Sequence, residues 1–179
     1  MRGTDPLTGK PYEAGDPDLL LWVHAGLVDS VLACADLFGT PAGAAGKDQY
    51  LAEMTAAAEL VGVPAGRAPA SAAELGGYFD AVRPELALSP AAAESTSYLL
   101  ALPALADELG DIWRVLGDAA IASLPGWAKD LYGVRDARAV DRTEVRQVLG
   151  VLDALYLGEP GVLEARQRIE LRMRARARG

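Results

Sequence analysis

One cysteine, one histidine and two phenylalanines occur in 179 residues, and aromatic side chains make up only 6% of the chain. With Cys34 alone, no intrachain disulfide is available, which is compatible with a reducing, cytoplasmic setting. One histidine and one cysteine also cannot build a zinc cluster of those ligands. The G-x-S-x-G elbow, the P-loop and G-x-G-x-x-G are all missing, so the hydrolase, NTPase and dinucleotide-binding readings that rest on them fall away. Basic charge is scarce: a net charge of −8 and a pI near 4.7 argue against a phosphate-binding face, and nucleic acid is not an expected partner. The opening "MRGTDPLTGKPYEAGDPD" has no apolar core behind a basic start, so no secretory signal is read there. The longest apolar-type run, residues 19–28, falls short of the roughly 20 residues of a bilayer span, and no membrane span is expected.

What the chain does have is alanine and helix punctuation. Hydrophobic residues reach 51% while aromatics stay few, a mix that favours closely packed helices over sheets. Asp16-Pro17 reads as a cap and first helical position, with apolar residues running to Phe38 and Gly39 as the stop. Further helices follow through "DQYLAEMTAAAELV", from the capping box Ser71–Glu74 to Arg83, from Ser89-Pro90 to Pro103, and through "ELGDIWRVLGDAAIASL". A short turn of helix surrounds Trp127 to Tyr132, a second capping box pairs Asp141 with Glu144, and Pro160 opens a basic terminal helix. No strand-length alternation is found. The expected fold is all-α: an orthogonal bundle of six or seven helices around an apolar central helix, residues 17–38, wrapped by the others.

Charge is uneven. From Glu164 to Gly179 six arginines stand against two glutamates, a net +4, so the rest of the chain carries −12. A basic tail on an acidic body will tend to fold back on it or reach for an anionic partner. The tail places Val162, Ala165, Ile169 and Met173 on one stripe.

Two polar residues interrupt the central helix. His24 has Leu20, Leu21, Leu27 and Val28 around it, and burial favours the neutral imidazole, the form that can ligate a metal or haem iron. The same surroundings suit a plain core histidine, and both readings stand. Asp29 lies roughly 140° around the helix from His24 at about 3.6 residues per turn, so it cannot hold the ring's second nitrogen. It shares a stripe with Trp22, Ala25, Gly26, Ala33 and Asp36, and an arginine such as Arg2, Arg67, Arg83 or Arg114 is its expected partner. Cys34 reads as a small buried apolar residue.

"RGTDPLTGKPY", "DPDLLLWVHAGLVDS", "YLAEM…AELVGVP", "LGGYFDAVRPEL" and "LPGWAKDLYG", in that order, resemble the bacterial branch of the catalytic-domain family of the mycophenolic-acid and rubber oxygenases (latex clearing protein). The resemblance runs from Arg2 to about Gly158. It implies an all-helical oxidoreductase domain that binds haem b through a histidine and oxidises an apolar small-molecule substrate with dioxygen. Members carry H-x-x-V-R-G before the T-D-P loop; here Met1 stands in the valine's place. By that comparison residues 1–179 are a single helical domain expected to lack its amino-terminal half, with the axial histidine upstream rather than at His24. His24, Trp22 and Arg2 would then border the cofactor, with His24 and Asp29 as candidate catalytic groups. The alternative is a non-catalytic helical binding module without haem. A face left bare by missing helices would promote self-association.

Overall fold

The computed structural model describes residues 2–5, 8–101, 106–134 and 140–157. The terminal helix expected from Pro160 lies outside them. Among the described residues there are seven α-helices: α1 (Pro17–Phe38), α2 (Gly43–Leu60), α3 (Ala72–Val82), α4 (Pro90–Ala101), α5 (Ala106–Ser123), α6 (Gly126–Tyr132) and α7 (Arg142–Leu157). The fold is all-α, as expected, with one addition. Arg2–Thr4 (β1) and Pro11–Glu13 (β2) pair antiparallel ahead of α1. Strands of three residues are too short to show alternation, so this hairpin was not expected from the sequence. Its turn is tied by Asp5, whose carboxylate accepts from the Thr8 hydroxyl at 2.7 Å, and by Gly9 at φ +69°, a left-handed position glycine takes at no steric cost. Gly3 sits opposite Tyr12, and a Cβ there would lie 2.7 Å from the Tyr12 ring; only glycine lets that ring lie across the ladder.

Helix α1 starts where its sequence says. The Asp16 side chain accepts from the Asp18 amide at 2.8 Å, Pro17 occupies the first turn, and the Gly39 amide closes onto the Ala35 carbonyl. The first capping box also forms: Ser71 accepts from the Glu74 amide, while Glu74 reaches back to the Ala70 amide at 2.8 Å. The second is a half-box. Asp141 caps the Thr143 amide, but Glu144 turns away to Arg114 at 3.1 Å.

Three apolar clusters string along α1. Leu21 packs with Ala58, Val63 and Ala68; Ala25 and Val28 pack with Leu51 and Leu75; Phe38 packs with Val115, Ala119 and Val145. The first two seat α2 and α3 on α1, and the last docks α5 and α7 at its C-terminal end. The expectation that α1 is wrapped all round is corrected here. Leu19, Val23, Leu27 and Val31 are exposed, Val23 by 67%, and they line one side of the helix at four-residue spacing. Cys34, expected inside, is exposed on the same side, because position 34 falls seven residues after Leu27. The span expectation also needs amending: α1 is long and apolar enough to cross a membrane by length and composition. Counting only uninterrupted apolar residues hid this. Asp29 and Asp36 within it and its packing on α2, α5 and α7 make it a helix of the bundle with one bare flank.

Candidate functional site

The N-terminal half of α1 forms the floor of a cleft of about 740 Å³. Leu19, Leu21 and Trp22 supply that floor, Tyr12 of β2 and Tyr78 of α3 form walls, and Leu86 after α3 closes one end. Polar groups gather at the rim, where Arg67 donates to Asp18 at 2.7 Å. Burial, reinforced by the Asp18 charge and opposed by Arg67, pushes the Tyr78 hydroxyl above its usual range, so it stays a neutral phenol.

A second cleft, of about 270 Å³, opens further along the same face of α1. Asp29 lines it with Leu32, Ala33, Leu75 and Phe79, beside the ion pair of Lys47 with Asp36. Burial pushes the Asp29 carboxyl upward. The expected arginine partner is absent: Arg2 pairs with Glu13, Arg67 with Asp18, Arg83 with Asp80, and Arg114 with Asp118 and Glu144. No ion pair or hydrogen bond to Asp29 forms among the described residues. The reason is placement, since each of those arginines lies beside another acid. Between the two clefts stands Phe79, whose ring meets Trp22 at 5.9 Å, Tyr78 at 5.7 Å and Trp127 at 6.0 Å. This aromatic partition escaped the sequence reading. Its only local signal was the adjacent Tyr78-Phe79 pair behind Gly76-Gly77.

His24 goes elsewhere. It is 5% exposed, turned away from the Trp22–Asp29 face, and lines neither of these clefts nor the smaller one beside Trp113. Burial lowers its pKa, so the ring is neutral. Among the described residues no hydrogen bond to its ring nitrogens forms, and no buried side-chain nitrogen or oxygen lacks a partner. Arg2 lies on the outer side of the hairpin, its guanidinium 3.2 Å from Glu13 and its side chain 81% exposed. Of the four expected site residues, Trp22 and Asp29 share a face, Arg2 stands outside the cleft wall, and His24 lies on the far side of α1.

The order of these elements can be compared with known proteins. Residues 1–154 match the family described as ER-bound oxygenase mpaB/B'/Rubber oxygenase, catalytic domain. The chain belongs to that family. No match was found among curated proteins or among solved structures. At family level this is an oxygenase-type oxidoreductase domain.

Haem b, implied by the family resemblance, needs an axial donor facing a flat cleft. The one histidine is buried and borders no described cleft, so the described residues offer haem no histidine ligand.

Proposed function

We propose that this oxygenase-family domain acts with dioxygen on an apolar organic substrate, and that the cleft over Trp22 receives the substrate. The observation that supports this is the cleft itself, about 740 Å³ with an aromatic and aliphatic floor, within the 300–1,000 Å³ usual for small-molecule sites. Leu19, Leu21 and Trp22 would hold the apolar body and keep water out, while the Arg67–Asp18 pair would orient any polar end at the rim. Asp29, whose carboxyl burial pushes upward, would exchange protons from one cleft away; the neutral His24 would act only through packing. Haem b stays in this reading as a group ligated by something other than the described residues of this chain.

The test is oxygen incorporation. The chain is expressed with haem supplied and incubated under ¹⁸O₂ with a panel of apolar isoprenoids, and products are followed by mass spectrometry. Labelled product that is lost in Trp22→Ala supports the reading; a panel with no label incorporated overturns it. His24→Ala is expected to leave the haem Soret band unchanged.

One observation favours a second reading, a helical binding module without haem: no histidine borders any described cleft. A protein that stays colourless with haem supplied, yet binds an apolar fluorescent probe in a Trp22-dependent way, would decide for it.

A further inference from the structure

The smaller of the two α1 clefts, about 270 Å³, holds a charge that its own lining does not balance. Asp29 and Asp36 both line it, seven residues and about 10 Å apart along α1, with Ala33 between them. Lys47 of α2 reaches the same cleft and pairs with Asp36, which leaves that end neutral. Asp29, at the other end, has no ion pair or hydrogen bond among the described residues. Its setting is also unlike that of Glu59, Glu85 and Glu94, which are exposed and solvated, whereas Asp29 is half-buried. Burial already pushes its carboxyl upward, as expected of a carboxylate short of counter-charge. The walls beside it are apolar: Leu32 comes from α1, Leu75 and Phe79 from α3. At Gly76 of the same α3 wall an added Cβ would meet no atom within 4 Å, so there is room for a guest.

We propose that this cleft binds a small organic monocation, an amine on an apolar body, with its ammonium on Asp29. The charged side chains of the cleft, Asp29, Asp36 and Lys47, sum to one negative charge, which one ammonium cancels. The body then lies against Leu32, Leu75 and Phe79, and an aromatic wall suits a cation better than an aliphatic one does. The volume falls just under the 300–1,000 Å³ usual for ligand sites, so the guest is small. A divalent metal ion fits worse. It needs about six oxygen ligands, and no group of three or more His, Cys, Asp or Glu placed to hold one occurs among the described residues. A neutral molecule would cover the carboxylate without pairing it, and an anion would be repelled. The site is separate from the cleft over Trp22 and does not rest on the oxygenase reading.

The probes are 2-phenylethylamine, 2-phenylethanol and 3-phenylpropionate, similar in shape but carrying one positive charge, none and one negative charge. Each is titrated into the full-length chain at pH 7.5 and followed by NMR chemical shifts. The amine is expected to shift the signals of Asp29, Ala33 and Gly76, and to bind at least tenfold more tightly than the other two. Asp29→Asn, which keeps the shape of the side chain, is expected to weaken amine binding at least tenfold. Ala33→Leu, which fills the cleft and leaves the charges in place, is expected to weaken it as well. Thermal melts without ligand confirm that each variant is folded. Equal affinity for the three probes, amine binding unchanged in Asp29→Asn, or shifts centred on Tyr12 and Trp22 instead would overturn the proposal. So would displacement of the amine by an equal concentration of sodium ion, the mark of an unspecific cation site.

Discussion

The Trp22 and Phe79 rings meet edge to face, their centroids 5.9 Å apart and their planes at 82°. This contact ties α1 to α3 at the point where two clefts would otherwise merge. Phe79 also touches Tyr78 and Trp127, so one side chain holds three helices in register. The partition puts the apolar floor at Trp22 and the isolated carboxyl at Asp29 on one helix face but in separate chambers.

Phe79→Ala should therefore cost about 3 kcal/mol, the lower end of the range for removing a buried aromatic ring, because Phe79 is only partly buried. Chemical denaturation measures the loss. Binding of an apolar probe should weaken as well, since Trp22 loses the ring that fixes its orientation. An unchanged midpoint with unchanged probe affinity would show that the partition carries no weight.

His24 sets an acid limit on stability. Burial lowers its folded pKa below 6.5, so the unfolded chain takes up a proton before the folded chain does. Its contribution is complete above about 6.5 and is lost as pH falls through and below that value. His24→Leu removes this titration while keeping an apolar side chain in the core. The difference in unfolding free energy between variant and parent should move in the variant's favour between pH 7.5 and pH 5.5. A constant difference across that window would mean the ring is not desolvated in the folded state.

Asp29 works in the opposite direction. Its folded pKa is raised from 3.8 by burial, so the folded chain holds the proton more tightly than the unfolded one. The stability it lends is present below the ordinary carboxylate range and is lost as pH rises through the raised value. At neutral pH Asp29→Asn should raise the melting temperature, by about 2 °C for a change below 1 kcal/mol in a chain of this length. Near pH 4 the gain should shrink. Thermal melts at the two pH values measure it, and destabilisation at pH 7 would point instead to a partner for the carboxylate.

Helix boundaries were legible because they are written in local chemistry. Asp16-Pro17 and Gly39 bound α1, and Ser71 with Glu74 opens α3, using groups within four residues of one another. What depends on distant neighbours was not legible. Glu144 had the spacing of a capping box, yet Arg114, thirty residues earlier, takes its carboxylate. Cys34 looked apolar enough to bury, but it belongs to the one side of α1 that no described helix covers. The same limit applies to the candidate site. The stripe Trp22–Asp29 was visible as spacing, whereas Phe79 became its divider only through tertiary packing. The arginine expected beside Asp29 failed because every candidate had a nearer acid.

The last link is Arg146, whose guanidinium nitrogen donates to the Phe38 carbonyl at 2.9 Å across 108 residues of sequence. The final turn of α1 leaves carbonyls without helical partners, and the C-terminal dipole adds partial negative charge there. Arg146 answers both needs at once while its backbone anchors α7 over Phe38. Arg146→Ala should cost about 1–2 kcal/mol, more than a surface ion pair, because a charged donor is lost from a carbonyl beside a buried ring. Arg146→Lys should recover only part, since an ammonium cannot reproduce the directed guanidinium bond. Hydrogen exchange read residue by residue should locate the loss in the last turn of α1 and the first of α7. If the loosening appeared instead in α3 or α4, the carbonyl bond would not be what clamps α7 to the end of α1.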